Sequence, residues 1–366
     1  MRVLVIVPDF VTYGGTNRFL ERLLGIHARQ GIVTTLLVPT DQSCPELVSL
    51  SERYCVELVR SPNRVKTDTT PFLTPIYDFF FLWQTVLTLR PDLIVVSTGD
   101  PGRLSIALYF PVPVLYILHS FPEQRFRSLP RWYLRIGSML NNLVMTVSNA
   151  AAGSVSETMG IPRNRIEVVY NSCRIDKSRI ESATPVILTA GHLVAYKNPD
   201  LWLKVAVLVL RDCPGALFVW LGDGELLEST REKVKRMSLE ERILLPGYIP
   251  DPSVWYEKAQ VYFQPSLRES HGIAVLEAMA NGLPCVVADT GGLPESVAGE
   301  ETGYVCPVDD SAGFAGRIST LLDNGALRER MGAAGRQRVQ KCFSEELQER
   351  KIMTLYERLL NKPGER

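Results

Sequence analysis

The chain has 366 residues, 46% of them apolar and 22% charged, which excludes a disordered protein and suggests two domains. Forty Lys and Arg balance forty Asp and Glu, so no net field draws the chain to nucleic acid. No stretch of about 18 uninterrupted apolar residues marks a membrane span, and seven dispersed cysteines read as reduced thiols of a cytoplasmic protein.

In chain order, Met1 to Phe10 carries a single Arg and is broken by Pro8 and Asp9, which reads as a first buried strand and not a signal peptide. Val3 to Val7, Val33 to Val38, Leu93 to Ser97, Val114 to Leu118 and Leu143 to Val147 predict buried strands. Thr16 to Gln30 and Pro75 to Leu89 predict helices between them. This alternation implies a parallel sheet covered on both faces. Between the first strand and helix, Tyr13 precedes Gly14 and Gly15, where the backbone can approach a ligand and a helix start offers amides to a phosphate. A plain strand-to-helix turn would need the same glycines, and the pair lacks the spacing of a dinucleotide fingerprint. His119 ends the strand Pro113 to Leu118, where ligand-facing residues sit in such sheets, although a structural histidine is the commoner case. Phe121 to Arg135 interleaves Arg125, Arg127, Arg131 and Arg135 with Phe126, Trp132 and Tyr133. That mixture suits a lipid headgroup, an anionic acceptor or a solvated basic helix.

Ser172 to Pro185 is polar without apolar periodicity and reads as a linker, giving domains over 1–175 and 176–344. The second half repeats the style of the first, with strands at Val186 to Ala190, Leu217 to Leu221, Ile243 to Leu245, Val261 to Phe263 and Cys285 to Ala288. Two doubly wound domains would place a ligand at the carboxyl ends of both sheets. The apolar run Ala259 to Pro265 leads through a polar loop into the helix-forming stretch Ile273 to Ala280. The first amides of that helix, near Gly272, form an anion site. Glu269 and Glu277 flank it and suit hydroxyls attached to the anion, which suggests a phosphate carrying sugars on both sides. Ser344 to Leu360 predicts an amphipathic terminal helix.

These stretches, in this order, resemble the retaining glycosyltransferases of GT-B fold (group 1, family 4 type) that use nucleotide-sugar donors. The resemblance runs from about residue 3 to about residue 356 and includes Gly222, Gly224, Gly291, Gly292, Glu295 and Gly303. It implies two Rossmann-like domains facing a deep cleft, with the terminal helix (345–362) crossing back to the first. By the same resemblance, Glu269 contacts the transferred sugar and Glu277 holds the ribose. His119 lies beside the reacting sugar, and Gly15 approaches the donor phosphate. Tyr13, Gly14 and Arg125 lie on the acceptor side. Lys197 and His192 hold the diphosphate, with His271, Gly272 and Ile273 at the helix start, and the base rests near Tyr248 and Ile249.

Two departures stand out. Asn171-Ser172 replaces the usual Asn-Gly, and His192 stands where Arg is usual, exchanging a permanently charged fork for an imidazole with a reference pKa of about 6.5. The chain contains no Asp-x-Asp, which fits a metal-independent design without cofactor, in which Lys197, His192 and the helix amides stabilise the leaving diphosphate. The expected partners are a nucleotide-sugar donor and a glycan, lipid-linked or small-molecule acceptor, with peripheral contact at the inner membrane face as an allowed addition. A sugar-nucleotide epimerase on the same fold and a non-catalytic partner subunit remain the alternatives.

Overall fold

The structure, a computed structural model, describes residues 1–8, 14–39, 45–61, 74–99, 105–122, 131–175 and 184–361. The chain divides into two compact units, Met1–Tyr170 with Gln348–Arg366, and Asn171–Leu347.

The first unit opens with β1 (Arg2–Ile6), α1 (Gly15–Arg29), β2 (Val33–Pro39), α2 (Pro45–Arg53) and β3 (Glu57–Ser61). It continues with α3 (Thr74–Leu89), β4 (Leu93–Thr98), β5 (Val114–Leu118), α4 (Arg131–Met139), β6 (Asn142–Thr146), α5 (Asn149–Met159) and β7 (Ile166–Val168). Among the described residues these strands form one parallel sheet in the order β3-β2-β1-β4-β5-β6-β7. The strands are apolar runs because both faces are covered. Val3, Val5 and Val7 face a core shared with Phe19, Leu20 and Leu23 of α1, whereas Leu4 and Ile6 face Leu82 and Val86 of α3. This alternation is the period-two geometry of a strand.

The second unit contains β8 (Val186–Ala190), α6 (Pro199–Asp212), β9 (Leu217–Leu221), α7 (Leu227–Arg236), β10 (Ile243–Gly247), α8 (Ser253–Lys258) and β11 (Val261–Gln264). Then come α9 (Ile273–Ala280), β12 (Cys285–Ala288), α10 (Leu293–Ser296), β13 (Gly303–Cys306), α11 (Ser311–Asp323) and α12 (Gly325–Cys342). Its sheet, also parallel, runs β10-β9-β8-β11-β12-β13. Trp202 of α6 packs edge-on against Phe218 and Trp220 of β9, and its indole donates to Thr189 at 2.7 Å. The described cysteines are free thiols. Among the described residues no helix is long and apolar enough to cross a membrane.

The last helix, α13 (Glu345–Leu360), returns to the first unit. Ile352, Leu355, Tyr356 and Leu359 recur at helical spacing and join the core beneath α1 and α2. His27 of α1 sits fully within that contact. Its Nδ1 pairs with Thr34 Oγ1 and its Nε2 with the Tyr356 hydroxyl, each at 2.8 Å.

Burial holds the His27 imidazole down, from 6.5 to about 4, so the fold keeps it neutral. The unfolded chain then binds this proton more tightly. The contribution of His27 is complete above pH 6.5 and is lost as pH falls towards 4. It amounts to roughly 3 kcal/mol at most. His27→Gln should therefore flatten the stability-versus-pH slope in that window, measured by urea unfolding at a series of pH values. An unchanged slope would show that His27 is not titrating with folding.

Candidate functional site

In the second unit the strand order reverses between β8 and β11, so the loops after these two strands diverge and leave a crevice at their carboxyl ends. The loop after β8 is clamped by backbone. Gly191 N donates to Leu221 O and Leu193 N to Asp223 O, both at 2.9 Å, while Leu226 N donates back to Leu193 O at 3.0 Å. A Cβ at Gly222 would lie 2.0 Å from Gly191 O, so the glycine is required by the close approach of two loops. The chain then makes a short 3-10 turn, Ala195–Lys197, and Asn198 adopts a left-handed conformation (φ 61°). The Asn198 side chain accepts from Leu201 N and caps α6, with Pro199 at the first helical position. Lys197 is thus the last residue before a fixed helix start.

The loop after β11 carries Glu269. Thr290 Oγ1 donates to Ser266 O at 2.7 Å, Gly292 N to Glu269 O at 2.9 Å and Ser296 Oγ to His271 O at 3.1 Å. Leu267 N reaches across to Tyr196 O at 2.8 Å, tying this loop to the one holding Lys197. The result is an ion pair between Lys197 Nζ and Glu269 Oε2, with both side chains about 15% exposed (14% and 15%). Gln264, the last residue of β11 and buried, donates from Nε2 to the same Glu269 Oε2 at 2.8 Å. Burial alone would pull the Lys197 ammonium down, but the Glu269 carboxylate outweighs it and leaves the pKa raised. Lys197 is therefore charged.

Glu277 lies eight residues further on, within α9. Its Oε2 accepts from the Tyr256 hydroxyl at 3.1 Å. The Tyr256 ring stacks on Tyr262 at 6.3 Å between centroids, and the Tyr262 hydroxyl donates to Gln264 Oε1 at 2.9 Å. Burial first, then neighbouring Glu277, raises the Tyr256 phenol well above its usual range, and burial likewise raises Tyr262. Both are neutral donors. Gln264 and Tyr262 are thus hydrogen-bonded towards Glu269 and Tyr256 towards Glu277, and the two groups meet only in the stack of the tyrosine rings.

Gly272 caps α9 with φ 83°, no side chain caps this end, and the first turn carries no acid. A Cβ at Gly272 would meet Leu293 Cδ2 at 2.8 Å. The amino end of α9 therefore keeps amides and the positive end of its dipole for an anion. Ile273 is half-buried at this end. His271 is buried against Phe343 at 5.4 Å, and burial holds its imidazole down to about 4 despite Glu295. Its carbonyl, not a charged ring, serves the loop. His192 is half-buried in the loop after β8, while Tyr248 is exposed and Ile249 half-buried after β10. Among the described residues no three His, Cys, Asp or Glu side chains cluster as around a metal ion.

The remaining sequence candidates belong to the first unit. Gly14 and Gly15 are exposed at the uncapped start of α1. His119 follows β5, and its Nε2 pairs with Ser97 Oγ at 2.9 Å while its ring packs on Phe19 at 4.7 Å. Burial holds it down to about 4, so it is a neutral group. Tyr13 and Arg125 lie outside the described residues. The sequence reading missed Gln264, Tyr256 and Tyr262. The signal for Gln264 was a polar residue closing an apolar strand run.

Two parallel Rossmann-like units, with the terminal helix returning to the first, define the GT-B fold. The family description "Glycosyltransferase Family 4" matches residues 13–177, and "Glycosyl transferases group 1" matches residues 174–338. The chain belongs to the group 1 glycosyltransferases. It is 26% identical over 236 residues to N-acetyl-alpha-D-glucosaminyl L-malate synthase of Bacillus anthracis, covering 61% of this chain and 60% of that protein. It is 29% identical over 253 residues to UDP-Gal:alpha-D-GlcNAc-diphosphoundecaprenol alpha-1,3-galactosyltransferase of Escherichia coli, covering 63% of this chain and 65% of that protein. Its matches thus span less than two thirds of the length of these relatives. The fold is similar to that of a glycosyltransferase from Rickettsia africae ESF-5, with a TM-score of 0.81 and 16% identity over 99% of both chains.

Gly292 offers a test of the loop architecture. A Cβ there would lie 2.2 Å from Ser270 O and 3.0 Å from His271 Cα. Gly292→Ala should cost roughly 1–3 kcal/mol in urea unfolding, as overpacking does. Gly316→Ala, on the open face of α11 with nothing within 4 Å, should instead be neutral or slightly stabilising. Equal effects of the two substitutions would rule out the close-approach argument.

Proposed function

We propose that the chain transfers a sugar from a nucleotide-diphosphate donor to a hydroxyl of a glycan, lipid-linked or small-molecule acceptor, with retention of anomeric configuration and without a metal ion. The observation that carries this reading is the arrangement of charged Lys197, Glu269 and Glu277 around the uncapped start of α9. When the bond from the anomeric carbon to the diphosphate breaks, negative charge grows on the departing phosphate. Lys197 and the α9 amides stabilise that charge without reorganising. Glu269 accepts a hydroxyl of the transferred sugar, and Glu277 the ribose hydroxyls.

Retention follows from a front-face route. The acceptor oxygen bonds to the anomeric carbon on the side the phosphate leaves, and the acceptor proton passes to the departing phosphate oxygen. Both glutamates are occupied with hydroxyls in this scheme, so neither serves as a covalent nucleophile. Neutral His119 adds a hydrogen-bonding group, not a charge.

The Escherichia coli relative is a transferase of UDP-Gal with a diphosphoundecaprenol-linked acceptor. We take a lipid-linked acceptor and peripheral membrane contact as part of the reading. Phe80, Trp83 and Leu87 lie exposed along one face of α3, and Ile136, Met139 and Leu140 lie exposed at α4, beside exposed Arg135. Both helices pack on the turn Ser105–Tyr109 over the same face of the sheet. An exposed aromatic and aliphatic stripe beside arginine suits an anionic lipid surface.

Thermal stabilisation by UDP, GDP and ADP sugars in the presence of a chelator tests the donor assignment. Ligand at a hundred times its dissociation constant should stabilise the fold by about 2.7 kcal/mol. One nucleotide series should do so, and Glu277→Gln should abolish the effect. Lys197→Ala should lower kcat by about a hundredfold to a thousandfold, as loss of an oxyanion donor does. Proton NMR of the product reports the anomeric configuration. An inverted product would refute the front-face route, and no stabilisation by any series would refute the donor site.

A further inference from the structure

We propose that Gln264 and Tyr256 are positioning residues that fix the sugar-facing and ribose-facing carboxylates separately, each by holding one oxygen and leaving the other for the ligand. The proposal rests on the assignment of Glu269 to the transferred sugar and Glu277 to the ribose. Glu269 Oε2 takes both the Lys197 ammonium and the Gln264 amide, and its Oε1 has no hydrogen-bond partner among the described residues. Glu277 Oε2 takes the Tyr256 hydroxyl, and its Oε1 likewise has none. A carboxylate held at one oxygen loses rotation about its last torsion, so the other oxygen keeps one direction.

The chemistry fixes which end of the Gln264 amide faces which neighbour. Its NH₂ must point at the Glu269 anion, because a carbonyl there would set acceptor against acceptor. Its carbonyl then needs a donor. The Tyr262 phenol supplies it at 2.9 Å, in preference to the more distant Ala190 O at 3.2 Å, since one hydroxyl has one proton to give. The Ala190 amide in turn donates to the phenol oxygen at 3.3 Å. Gln264 and Tyr262 are fully buried and therefore do not reorganise with solvent. Tyr256 is reached from the same side through its stack on Tyr262. Its hydroxyl is buried with the ring, and its contact to Glu277 crosses from α8 to α9.

None of these three residues offers a group to the ligand in this scheme. They determine where Glu269 and Glu277 point. Their separate attachment predicts separable consequences. Loss of the Tyr256 hydroxyl frees Glu277, which meets the nucleotide. Loss of the Gln264 amide leaves Glu269 held by Lys197 alone and free to turn about that contact, and of the ligand Glu269 meets only the sugar.

Calorimetric titration of the full chain with UDP, GDP and ADP, and with the sugar-bearing form of whichever binds tightest, tests this. Tyr256→Phe keeps the ring stack and removes one hydroxyl. It should weaken the diphosphate and the nucleotide sugar alike, by about tenfold, the order expected for a hydrogen bond to a charged group. Gln264→Met keeps length and burial and removes the amide. It should leave diphosphate affinity within about twofold and weaken the nucleotide sugar by about tenfold. Tyr262→Phe should follow Gln264→Met. A general loosening of the fold would move both ligands together in every variant, and that result would overturn the proposal, as would full affinity for both ligands in Tyr256→Phe or Gln264→Met. Glu277→Gln and Glu269→Gln separate the underlying assignment. If Glu277→Gln leaves diphosphate binding intact, or no diphosphate binds, the assignment itself has failed. If Glu277→Gln weakens it and Tyr256→Phe does not, only the positioning role has failed.

Discussion

The site of the second unit depends on the reversal of strand order between β8 and β11. Where two neighbouring parallel strands send their following helices to opposite faces, their loops part and nothing in the sheet fills the gap. Lys197 ends one of these loops and Glu269 sits in the other, 72 residues later, so the pairing is made by topology and by no local preference. The surrounding glycines follow from the same constraint. Loops that crowd the carboxyl edge pass each other backbone to backbone, which is why Gly222 and Gly292 face carbonyl oxygens at distances no side chain tolerates.

A part-buried ammonium beside a part-buried carboxylate does little for stability, because each loses hydration that their attraction only offsets. The arrangement makes better sense as preorganisation. Glu269 keeps Lys197 protonated against the pull of burial, so the charge is already in place before an anion arrives. His271 contributes in the opposite sense: burial holds its ring neutral, so the positive potential at the start of α9 comes from Lys197 and the amides and not from that imidazole. That distribution concentrates the field where the diphosphate would sit.

The central strands were legible in the sequence because a strand buried on both faces must be apolar throughout, as in Leu93 to Thr98. Three of the four edge strands escaped for the complementary reason, whereas edge strand β10 was read from its apolar run Ile243 to Leu245. β3 (ELVRS) and β7 (IEV) are short and polar, with a neighbour on one side only, and β13 (GYVC) was recognisable as a landmark but not as a strand. The sequence singled out Glu269 and Glu277 because they lie in a succession of strand, glycine-bearing loop and helix start, and Lys197 only through the family resemblance. Gln264, Tyr262 and Tyr256 were not singled out. Two of them sit in a run that reads as plain core, and their roles arise from contacts of side-chain hydroxyl and amide that no spacing encodes. The sequence also named His271 as a ligand-side residue, whereas the fold turns its ring inward against Phe343 and uses its backbone.

The return of α13 shows the same division of labour between apolar adhesion and polar register. Ile352, Leu355, Tyr356 and Leu359 would hold the helix against the first unit in several rotations and offsets, since hydrophobic contact is not directional. Register is set by polar contacts spread along the helix. Glu349 near its start accepts from Arg29 and Gln30, Tyr356 meets His27, and Arg358 near its end pairs with Glu167. A slip of one turn would break all three and leave His27 buried without its phenol. The surface pairs contribute little energy individually. The buried His27–Tyr356 contact is different, because an unpaired imidazole nitrogen in that core costs more than the hydrogen bond itself provides. The penalty for the wrong register, and not the strength of the right one, is what fixes the helix in place.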